Sequence, residues 1–462
     1  MHVHLIGIGG SGLSAIAKVL LQKGYQVSGS DRQDTLIIQG LRNSGARVFI
    51  GHHPDNLAGA DVVLRSSAVG DENVEVRAAQ AAQIPVLKRS DILERLMEGQ
   101  ECIAIAGTHG KTTTTAMAAW LLNALGQDPS YIIGGTSLNL GNNARAGKGQ
   151  YFVIEADEYD YMFLGLQPKI CILTNIEHDH PDCFPTYQNM LETFRTFINR
   201  IVPSGILIAC GEDAGALAML DLARGYGMRT FSYGIGPYGF DYYADGLASG
   251  ESGGYRFTLS RREGEQLVEL VLQVPGEHNV RNALAVLALA DSIGLPLPQS
   301  ARALEEFKGT ARRFEVVGEI AGVTVINDYA HHPSEIRATL AAARVRYSGR
   351  RIWAVWQPHT YSRTRQLFND FVAAFEKADH VVVTEIYAAR ENLPQDGFSA
   401  QQVVAAMSYP DAYFVPDLTQ VTSFLLGRLL PGDVLLVLSA GDADQISTHV
   451  LASLMERSNA NA

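Results

Sequence analysis

The sequence predicts a three-domain α/β protein, and three observations lead to that prediction. Short apolar strands alternate with helical patterns along the chain, as parallel sheets with covering helices require. Glycine-rich turns join a strand to a helix at two places. The length of 462 residues favours about three domains at roughly 150 residues each. We place the domains at residues 1–98, 99–310 and 311–462, because a polar passage ends near residue 99 and a new alternating set begins near Arg312.

The composition excludes several classes of protein. Hydrophobic residues make up 47% and charged residues 19% of the chain, which is ordinary for a globular protein and excludes extended disorder. The formal net charge of −12 argues against a general nucleic-acid or anionic-membrane partner. No apolar run approaches the ~20 residues that cross a bilayer, and the first residues lack the basic region of a signal peptide. We therefore expect a cytoplasmic protein, with its four cysteines as buried or incidental thiols.

The first domain starts with a strand, a glycine turn and a helix. We predict strands at residues 3–6, 26–29, 47–50 and 62–64, and a helix at 12–23. The turn Gly7-Ile-Gly9-Gly10-Ser11-Gly12 fits G-x-G-x-x-G, and Asp31 follows Gly12 by 19 residues at the end of the next strand. Such glycines let the backbone approach a pyrophosphate at the N-terminus of the helix. The pattern alone favours NAD, leaves another nucleoside diphosphate open, and has a ligand-free glycine turn as its structural alternative.

A second phosphate-binding pattern follows the predicted strand at residues 102–106 and opens a helix after Lys111. It reads Gly107-Thr108-His109-Gly110-Lys111-Thr112-Thr113, and Ile105 stands where a full Walker A loop has its first glycine. Backbone N–H groups of such a loop surround the β- and γ-phosphates, Lys111 neutralises them, and the Thr112 hydroxyl reaches Mg²⁺. The pattern thus predicts a central P-loop ATP-binding α/β domain. One chain with both loops should hold a nucleotide-linked substrate at the first loop and ATP at the second.

The remaining elements alternate in the same way. In the central domain we predict strands at residues 151–155, 170–175 and 205–209, an antiparallel excursion over 230–274 with runs at 255–259 and 267–274, and a helix over 279–293. In the third domain we predict strands at 323–327, 352–357, 381–384 and 434–438, and helices at 334–345, 365–378 and 400–407. This alternation predicts a second Rossmann-like sheet at the C-terminus. The polar tail from Glu456 is expected to fray.

Polar side chains in the central domain stand where open α/β sheets bind ligands, at the ends of strands. Glu155 ends a strand and is followed by other acidic residues and by the His-Asp-His run at 178–180, so with Thr112 and phosphate oxygens it can hold Mg²⁺. Asn279 and Asn282 share one face of a helix start. Their amides can match a purine edge, with helix capping as the structural alternative.

The third domain carries a further set. Arg313 can hold the γ-phosphate of ATP or form a surface ion pair, and Asp328 can accept hydrogen bonds from ribose hydroxyls. His331 and His332 precede Pro333 at a turn into a helix, and helix capping by one of them is the structural alternative. His359 and Arg363 follow the strand at 352–357, and a guanidinium suits a substrate carboxylate because it binds one through two hydrogen bonds.

Taken together and in this order, these segments resemble the Mur ligase family of ATP-dependent amide-bond enzymes over nearly the whole chain. The sequence is most similar to the branch that adds L-alanine to UDP-N-acetylmuramate. Besides the two glycine loops, the matching segments are residues 30–31, 66–69, 155–158, 175–180, 276–282, 309–314, 328–333 and 357–365. Tyr159 departs from the usual form of that branch and resembles a muropeptide-recycling ligase, whereas 163–168 and 357–364 favour the alanine branch.

The resemblance implies a set of site residues. For the UDP-linked substrate these are Gly9, Gly10, Ser11, Gly12, Asp31 and Ser67. For ATP they are Gly107, Thr108, His109, Gly110, Lys111, Thr112, Thr113, His278, Asn279, Asn282, Arg313 and Asp328. For the amino acid they are Tyr329, His331, His359 and Arg363, and for Mg²⁺ they are Thr112, Glu155 and, at a second ion, His180. Lys111, His180, Arg313 and His359 are the implied catalytic residues.

The resemblance also implies a reaction, with ATP and Mg²⁺ as cofactors and UDP-N-acetylmuramate and L-alanine as substrates. A carboxylate is phosphorylated by ATP, and the acyl phosphate is then attacked by an amine, in peptidoglycan precursor synthesis. We expect a monomer or weak homodimer without nucleic-acid or membrane partners. The alternatives are a recycling ligase that adds a preformed peptide to UDP-N-acetylmuramate, an NAD-dependent oxidoreductase, and a non-catalytic ATP-gated binding protein. His180 and His359 both remain candidates for the base that deprotonates the amine.

Overall fold

Within the part of the chain that the structure describes, the strands form three sheets, each covered by helices. The computed structural model describes residues 1–237, 239–250, 253–389, 391–408 and 411–460. Each sheet is mainly parallel, and the three follow one another along the chain. The predicted three-domain α/β fold is therefore confirmed.

The first sheet is wholly parallel, with the strand order β3-β2-β1-β4-β5. Its strands are β1 His2–Ile6, β2 Gln26–Asp31, β3 Arg47–Ile50, β4 Val62–Arg65 and β5 Val86–Leu87. Its helices are α1 Ser11–Gln22, α2 Leu36–Asn43, α3 Val74–Ala81 and α4 Arg89–Leu96. The chain leaves β1 toward one edge and returns to its other side at β4. That reversal opens a crevice at the carboxyl ends of β1 and β4, where such sheets bind ligands.

The second sheet has ten strands in the order β15-β14-β13-β12-β11-β10-β6-β9-β7-β8. The strands are β6 Glu101–Ala106, β7 Ser130–Ile132, β8 Ala144–Arg145, β9 Tyr151–Glu155, β10 Ile170–Leu173, β11 Ile206–Cys210, β12 Arg229–Ile235, β13 Tyr242–Ser249, β14 Tyr255–Arg261 and β15 Gln266–Leu272. The helices are α5 Lys111–Ala124, α6 Tyr187–Ile198, α7 Ala214–Gly225, α8 Glu277–Ser292 and α9 Leu297–Glu305. The predicted antiparallel excursion is confirmed, and it extends the same sheet through β13, β14 and β15.

The third sheet has the order β16-β17-β21-β18-β19-β20, with only β16 antiparallel to its neighbour among these strands. The strands are β16 Glu315–Ile320, β17 Val323–Asp328, β18 Ile352–Gln357, β19 His380–Val383, β20 Ala412–Phe414 and β21 Val434–Ser439. The helices are α10 Pro333–Arg346, α11 Tyr361–Gln366, α12 Phe368–Val372, α13 Ala400–Ala406, α14 Leu418–Leu426 and α15 Gln445–Ala460. Short 3-10 helices lie at Pro54–Leu57, Tyr159–Gly165 and Arg262–Gly264.

Two sequence predictions about the third domain are wrong. The helix expected over 365–378 is split into α11 and α12, because Leu367 leaves the helical conformation, and residues 373–377 form turns. Phe371 and Phe375 both pack on buried Trp356, so tertiary contacts shape this segment. The tail from Glu456 is helical, since α15 continues to residue 460, whereas the apolar face that α15 buries against the third sheet ends at Leu454.

The other predicted strands and helices agree with the structure within two residues. All four cysteines are free; Cys102, Cys171 and Cys210 are buried, and Cys183 is half-buried. Among the residues that the structure describes, no helix has the length and apolar character to cross a membrane. The exact domain boundaries stay a prediction.

Candidate active site

The first glycine loop forms the wall of a cavity of about 490 Å³. Gly7, Gly9, Gly10 and Asp31 line it, and the Gly9 N–H donates to Asp31 Oδ2 over 2.9 Å. A Cβ on Gly9 would lie only 2.9 Å from the same oxygen, so a larger residue here would displace the Asp31 side chain. Asp31 therefore fixes the loop in addition to lining the cavity. The structure brings the glycines and Asp31 together, as the fingerprint predicts.

Three other residues predicted for the same ligand lie elsewhere. Ser11 and Gly12, in the first turn of α1, line a smaller crevice of about 100 Å³ with Arg89. A Cβ on Gly12 would lie 2.6 Å from the Arg89 guanidinium, which is 3.6 Å from the Asp157 carboxylate. Ser67 donates to Asp160 over 2.7 Å instead of facing the larger cavity. Arg89 is a residue that the sequence reasoning missed, because its proximity to the loop exists only in the folded chain.

The second glycine loop joins β6 to α5 at the centre of the ten-stranded sheet. Gly107 has φ 125°, and a Cβ there would lie 2.1 Å from Thr174 Oγ1. Gly110 has φ 81° and caps α5, and a Cβ there would lie 2.9 Å from Asn282 Oδ1. Both positions therefore require glycine. The loop presents the N-terminus of a 14-residue helix, a position that favours phosphate.

Lys111 is folded against its own loop and pairs with Glu158. Its Nζ donates to Gly107 O over 2.6 Å and to Thr108 O over 3.0 Å, and lies 2.8 Å from Glu158 Oε2. Burial acts to lower the pKa of Lys111, but the carboxylates around it, first of all Glu158 and then Asp157 and Glu155, together outweigh burial and raise the pKa. Lys111 is therefore charged, and fully buried Glu158 is the counter-ion that holds it. The predicted site set omits Glu158, although it stands in the acidic segment after Glu155.

Glu155 lies at the end of β9 beside the loop. Its Oε1 accepts from the Thr112 hydroxyl over 2.9 Å, and its Oε2 accepts from the Gly134 N–H over 2.7 Å. Burial raises the pKa of Glu155. A Cβ on Gly134 would lie 2.5 Å from Glu155 Oε2, so the glycine leaves room beside the carboxylate. A hydroxyl and a carboxylate are hard oxygen donors of the kind that Mg²⁺ prefers, and this pair fits that ion.

His180 stands across Glu158 from Lys111. Its Nε2 is 3.6 Å from Glu158 Oε1 and 3.7 Å from Asp179 Oδ2, and its ring packs at 5.1 Å on Tyr159. Burial acts to lower the pKa of His180, but Asp179 and Glu158 outweigh it and raise the pKa. The residue has φ 53°, a left-handed conformation that costs of order 1 kcal/mol for a side chain with a Cβ. Such strain persists only where the surrounding structure imposes it.

A cavity of about 860 Å³ opens between the central and third domains. The predicted ATP residues that line it are His109, Gly110, Thr113, His278, Asn279, Asn282, Arg313 and Asp328. Burial lowers the pKa of His278 to about 4, so this ring is neutral at pH 7. Asn279 donates to Pro275 O over 2.7 Å and accepts from Asn282 over 3.1 Å, so the two amides fix each other on one face of α8.

Asp328 and Arg313 form the third-domain side of this cavity. The two Asp328 oxygens accept from the backbone N–H groups of Phe314 and Ala330, both over 2.7 Å. Burial raises the pKa of Asp328 to about 6. Each oxygen keeps a second lone pair, so acceptance from a ribose hydroxyl stays a prediction. The Arg313 guanidinium lies 4.9 Å from the Tyr329 ring centre and 3.7 Å from Glu335.

The residues predicted for the amino acid form one cluster. Arg363 is buried, its Nε donates to Asp179 Oδ1 over 2.8 Å, and its guanidinium lies 3.2 Å from His359 Nδ1. The ring of His331 is 5.9 Å from that of His359 and 5.3 Å from that of Tyr329. Burial lowers the pKa of His331 to about 3. Asp179, which the predicted set also omits, links this cluster to His180 next to it in the chain.

His109 joins the central domain to the third. Its Nε2 is 3.1 Å from Glu177 Oε2, and its Nδ1 is 3.1 Å from Glu335 Oε1 on α10. Burial acts to lower the pKa of His109, but the hydrogen bonds with Glu177 and Glu335 outweigh it and raise the pKa to about 9. Ser334 also donates to Glu177 over 2.6 Å. His332 is the histidine that caps α10, because its Nδ1 accepts a hydrogen bond from the Ser334 N–H.

Three domain families match the chain. They are the Mur ligase family, catalytic domain, over residues 2–101, the Mur ligase middle domain over 105–290, and the Mur ligase, glutamate ligase domain, over 312–441. The UDP-N-acetylmuramate--L-alanine ligase of Desulforamulus reducens is 40% identical over 98% of both chains. That of Geobacter sp. strain M21 is 41% identical over 98% of this chain and 97% of its own.

Solved structures agree with these relatives. The UDP-N-acetylmuramate-alanine ligase from Thermotoga maritima superposes with a TM-score of 0.83 at 30% identity, covering 100% of both chains. A murein peptide ligase from Psychrobacter arcticus has a TM-score of 0.74 at 25% identity, covering 98% of both. The resemblance inferred from the motifs is thereby confirmed.

Proposed function

The chain belongs to the Mur ligase family, and we propose that it joins L-alanine to the carboxylate of UDP-N-acetylmuramate in an ATP-dependent step of peptidoglycan precursor synthesis. The observation that carries this proposal is the identity of 40–41% to L-alanine ligases over 98% of the chain. The two phosphate-binding loops support it. A dehydrogenase needs only the loop that contains Gly9, and a simple ATPase needs only the loop that contains Lys111.

The proposed reaction has two steps. The muramoyl carboxylate attacks the γ-phosphorus of ATP, the bond to the bridging oxygen breaks, and ADP leaves. The amine of L-alanine then attacks the carbonyl carbon of the acyl phosphate, and the tetrahedral intermediate collapses to an amide and inorganic phosphate. Both reactants of the first step are anions, so the enzyme has to offset their repulsion. The ammonium of Lys111 and the positive end of α5 would do so, and Arg313 would hold the γ-phosphate.

Mg²⁺ fits the loop side of the site. Thr112 and Glu155 would hold one ion, and Glu158 and His180 would hold a second. When bound, the ions neutralise phosphate charge that Lys111 alone leaves unbalanced. Glu158 then has a second role, because it already holds the Lys111 ammonium beside the loop over 2.8 Å. On the cavity side, Asn279 and Asn282 would match the purine edge and Asp328 would accept from the ribose.

L-alanine would bind in the third-domain cluster. The Arg363 fork can take its carboxylate through two hydrogen bonds, and Asp179 holds that fork in place through Arg363 Nε. In this proposal the amine faces His180 and His359, the two candidate bases. Tyr329 and His331 complete the wall. Because Asp179 and His180 are adjacent in the chain, the amino-acid cluster and the proposed metal side meet at one peptide unit.

The test is phosphate release from ATP and Mg²⁺ in the presence of UDP-N-acetylmuramate. Four amines are compared, namely L-alanine, glycine, L-serine and an L-Ala-D-Glu-diamino acid tripeptide. Release that requires the sugar nucleotide and is fastest with L-alanine supports the proposal. K111M should abolish release, whereas K148M, at an exposed lysine away from the loop, should retain it. Absence of release with all four amines would contradict the proposal.

One contact favours a second candidate. Tyr159, which resembles the recycling ligases, packs on His180 and donates to Asp182 over 3.0 Å. An aromatic ring next to a proposed metal ligand can select the amine that approaches it. Phosphate release with the tripeptide alone would therefore identify a ligase that adds a preformed peptide.

A further inference from the structure

A buried polar cluster lies beneath the 490 Å³ cavity of the first sheet, and the reaction described above does not use it. Its centre is Glu75, in the first turn of α3 and fully buried. Glu75 accepts hydrogen bonds from Ser30 Oγ, from Asn56 Nδ2 over 2.6 Å, and from the His53 backbone N–H over 3.2 Å. His4 lies on the other side, with its Nε2 3.6 Å from the carboxylate. Buried polar groups are costly unless they are hydrogen-bonded, and here the hydrogen bonds converge on one carboxylate.

The carboxyl of Glu75 is ionised at neutral pH. Burial acts to raise its pKa, but the polar groups around it, first of all His4 and Ser30, outweigh burial and lower the pKa to about 2. An ionised carboxylate only accepts hydrogen bonds. Glu75 therefore dictates which atoms around it carry protons.

His52 connects this cluster to the cavity. Its Nδ1 lies 3.3 Å from Glu75 Oε2 and 3.0 Å from Ser30 Oγ, and its ring lines the cavity. The only hydroxyl proton of Ser30 goes to Glu75. Both partners of Nδ1 are thus acceptors, so Nδ1 must carry the ring proton. In a neutral imidazole, Nε2 is then an acceptor.

The position of His52 suits the base of a nucleotide. The glycine loop that would take the pyrophosphate follows β1, whereas His52 follows β3, two strands away across the sheet. Strands are about 4.8 Å apart, so this separation of roughly 10 Å leaves room for a ribose between the two. Asp31, at the end of the intervening β2, lines that middle part of the cavity.

We propose that His52 reads the base of the substrate nucleotide by accepting the N3–H of uracil at Nε2, and that Glu75 is the positioning residue that fixes this tautomer. The proposal rests on the proposed function, which supplies a uridine nucleotide. Uracil presents a hydrogen-bond donor at N3, whereas cytosine presents a lone pair there. A cytosine would set two lone pairs against each other and leave both unpaired. One half-buried histidine would thus select one pyrimidine over the other.

The first test is calorimetric binding of UDP and CDP to the full chain without ATP or amine. Wild type should bind UDP about 10- to 100-fold more tightly than CDP, the range expected when one buried polar group is left unpaired. H52A should lose most of this preference through weaker UDP binding. H52Q should bind both nucleotides, because an amide can accept from uracil and donate to cytosine. H53A is the matched control, since the His53 side chain is 67% exposed and pairs with Asp55, and it should retain the wild-type preference.

Equal binding of UDP and CDP by wild type would overturn the proposal. So would a preference that survives in H52A, which would place base recognition elsewhere. If H52A lost affinity for UDP and CDP by the same factor, His52 would contact the ribose rather than the base, and the proposal would also be overturned.

The second test reads the tautomer directly and does not depend on binding. A two-bond ¹H–¹⁵N correlation spectrum of the histidine rings, assigned by comparison with H52Q, should show Nδ1 protonated and Nε2 unprotonated at pH 8. The E75Q variant should lose this pattern, because an amide can donate to Nδ1. A ring protonated at Nε2 in the wild type would refute the proposal. If the proposed ligase activity is wrong, the phosphate-release assay shows it separately, and the preference for UDP over CDP is still measured.

Discussion

Replacement of Lys111 by methionine tests the pairing of Lys111 with Glu158. The change removes the ammonium that lies 2.8 Å from a fully buried carboxylate. Breaking a buried ion pair from one side costs about 3–5 kcal/mol, because the remaining charge is left without compensation. His180, 3.6 Å away on the other side of Glu158, can supply part of that compensation, so we expect the lower end, about 3 kcal/mol. At about 2–4 °C per kcal/mol for a domain of this size, the melting temperature should fall by about 6–12 °C.

The penalty should also depend on pH. In wild type the pKa of Glu158 is lowered, since Lys111 and His180 together outweigh burial. Without Lys111, burial dominates and the folded-state pKa rises above the ordinary value of 4.5. The folded variant then takes up a proton more readily than the unfolded chain does. The loss of stability should therefore be complete near pH 8 and shrink as the pH falls toward 5.

The assay is thermal unfolding followed by circular dichroism at pH 8 and pH 5, together with phosphate release. The double variant K111M/E158Q removes both charges and should recover most of the melting temperature. It should stay at least about 100-fold below wild type in phosphate release, because the charge that stabilises the transferring phosphate is still missing. The reasoning is refuted if K111M melts within 2 °C of wild type at pH 8 (about 1 kcal/mol or less), or if the double variant is no more stable than K111M.

Three further predictions follow from the same site. R363K removes the planar guanidinium that binds Asp179 and lies beside His359. In steady-state phosphate release, the KM for L-alanine should therefore rise about tenfold or more, while the KM for ATP stays unchanged. Because the pKa of His109 is raised to about 9, its contribution to the stability of the ligand-free protein is complete below pH 6.5 and is lost as the pH rises through 9. Thermal unfolding at constant ionic strength should show this loss for wild type and not for H109Q. E155Q should raise the Mg²⁺ concentration for half-maximal phosphate release by about 10-fold or more, and an unchanged Mg²⁺ titration would remove Glu155 from the proposed ligands.

The sequence by itself determined the family, the fold class and most element positions. Glycines at 7, 9, 107 and 110 predicted two strand–turn–helix loops, because a phosphate cradle needs backbone that a Cβ would block. Apolar runs placed the strands within two residues, since buried parallel strands are apolar on both faces. Glu155 was predictable as a ligand candidate because the end of a strand in such a sheet is the binding edge.

Local patterns failed where packing decides conformation. The segment after His359 was predicted as one helix, but Trp356 draws Phe371 and Phe375 onto the sheet and the helix divides. Thr360 has a φ of 66°, a left-handed conformation that a β-branched residue rarely adopts. Tertiary contacts impose such conformations at a site, so the sequence carries no signal for them.

Only the tertiary structure decided which charges meet. Lys111 pairs with Glu158 across 47 residues of sequence, Arg363 with Asp179 across 184, and His109 with Glu335 across 226. A single sequence places each of these residues in an element but does not say which elements pack together. The physical reason is that an ion pair between distant segments depends on the packing of whole domains, and that packing is set by buried apolar surface rather than by the charged residues themselves.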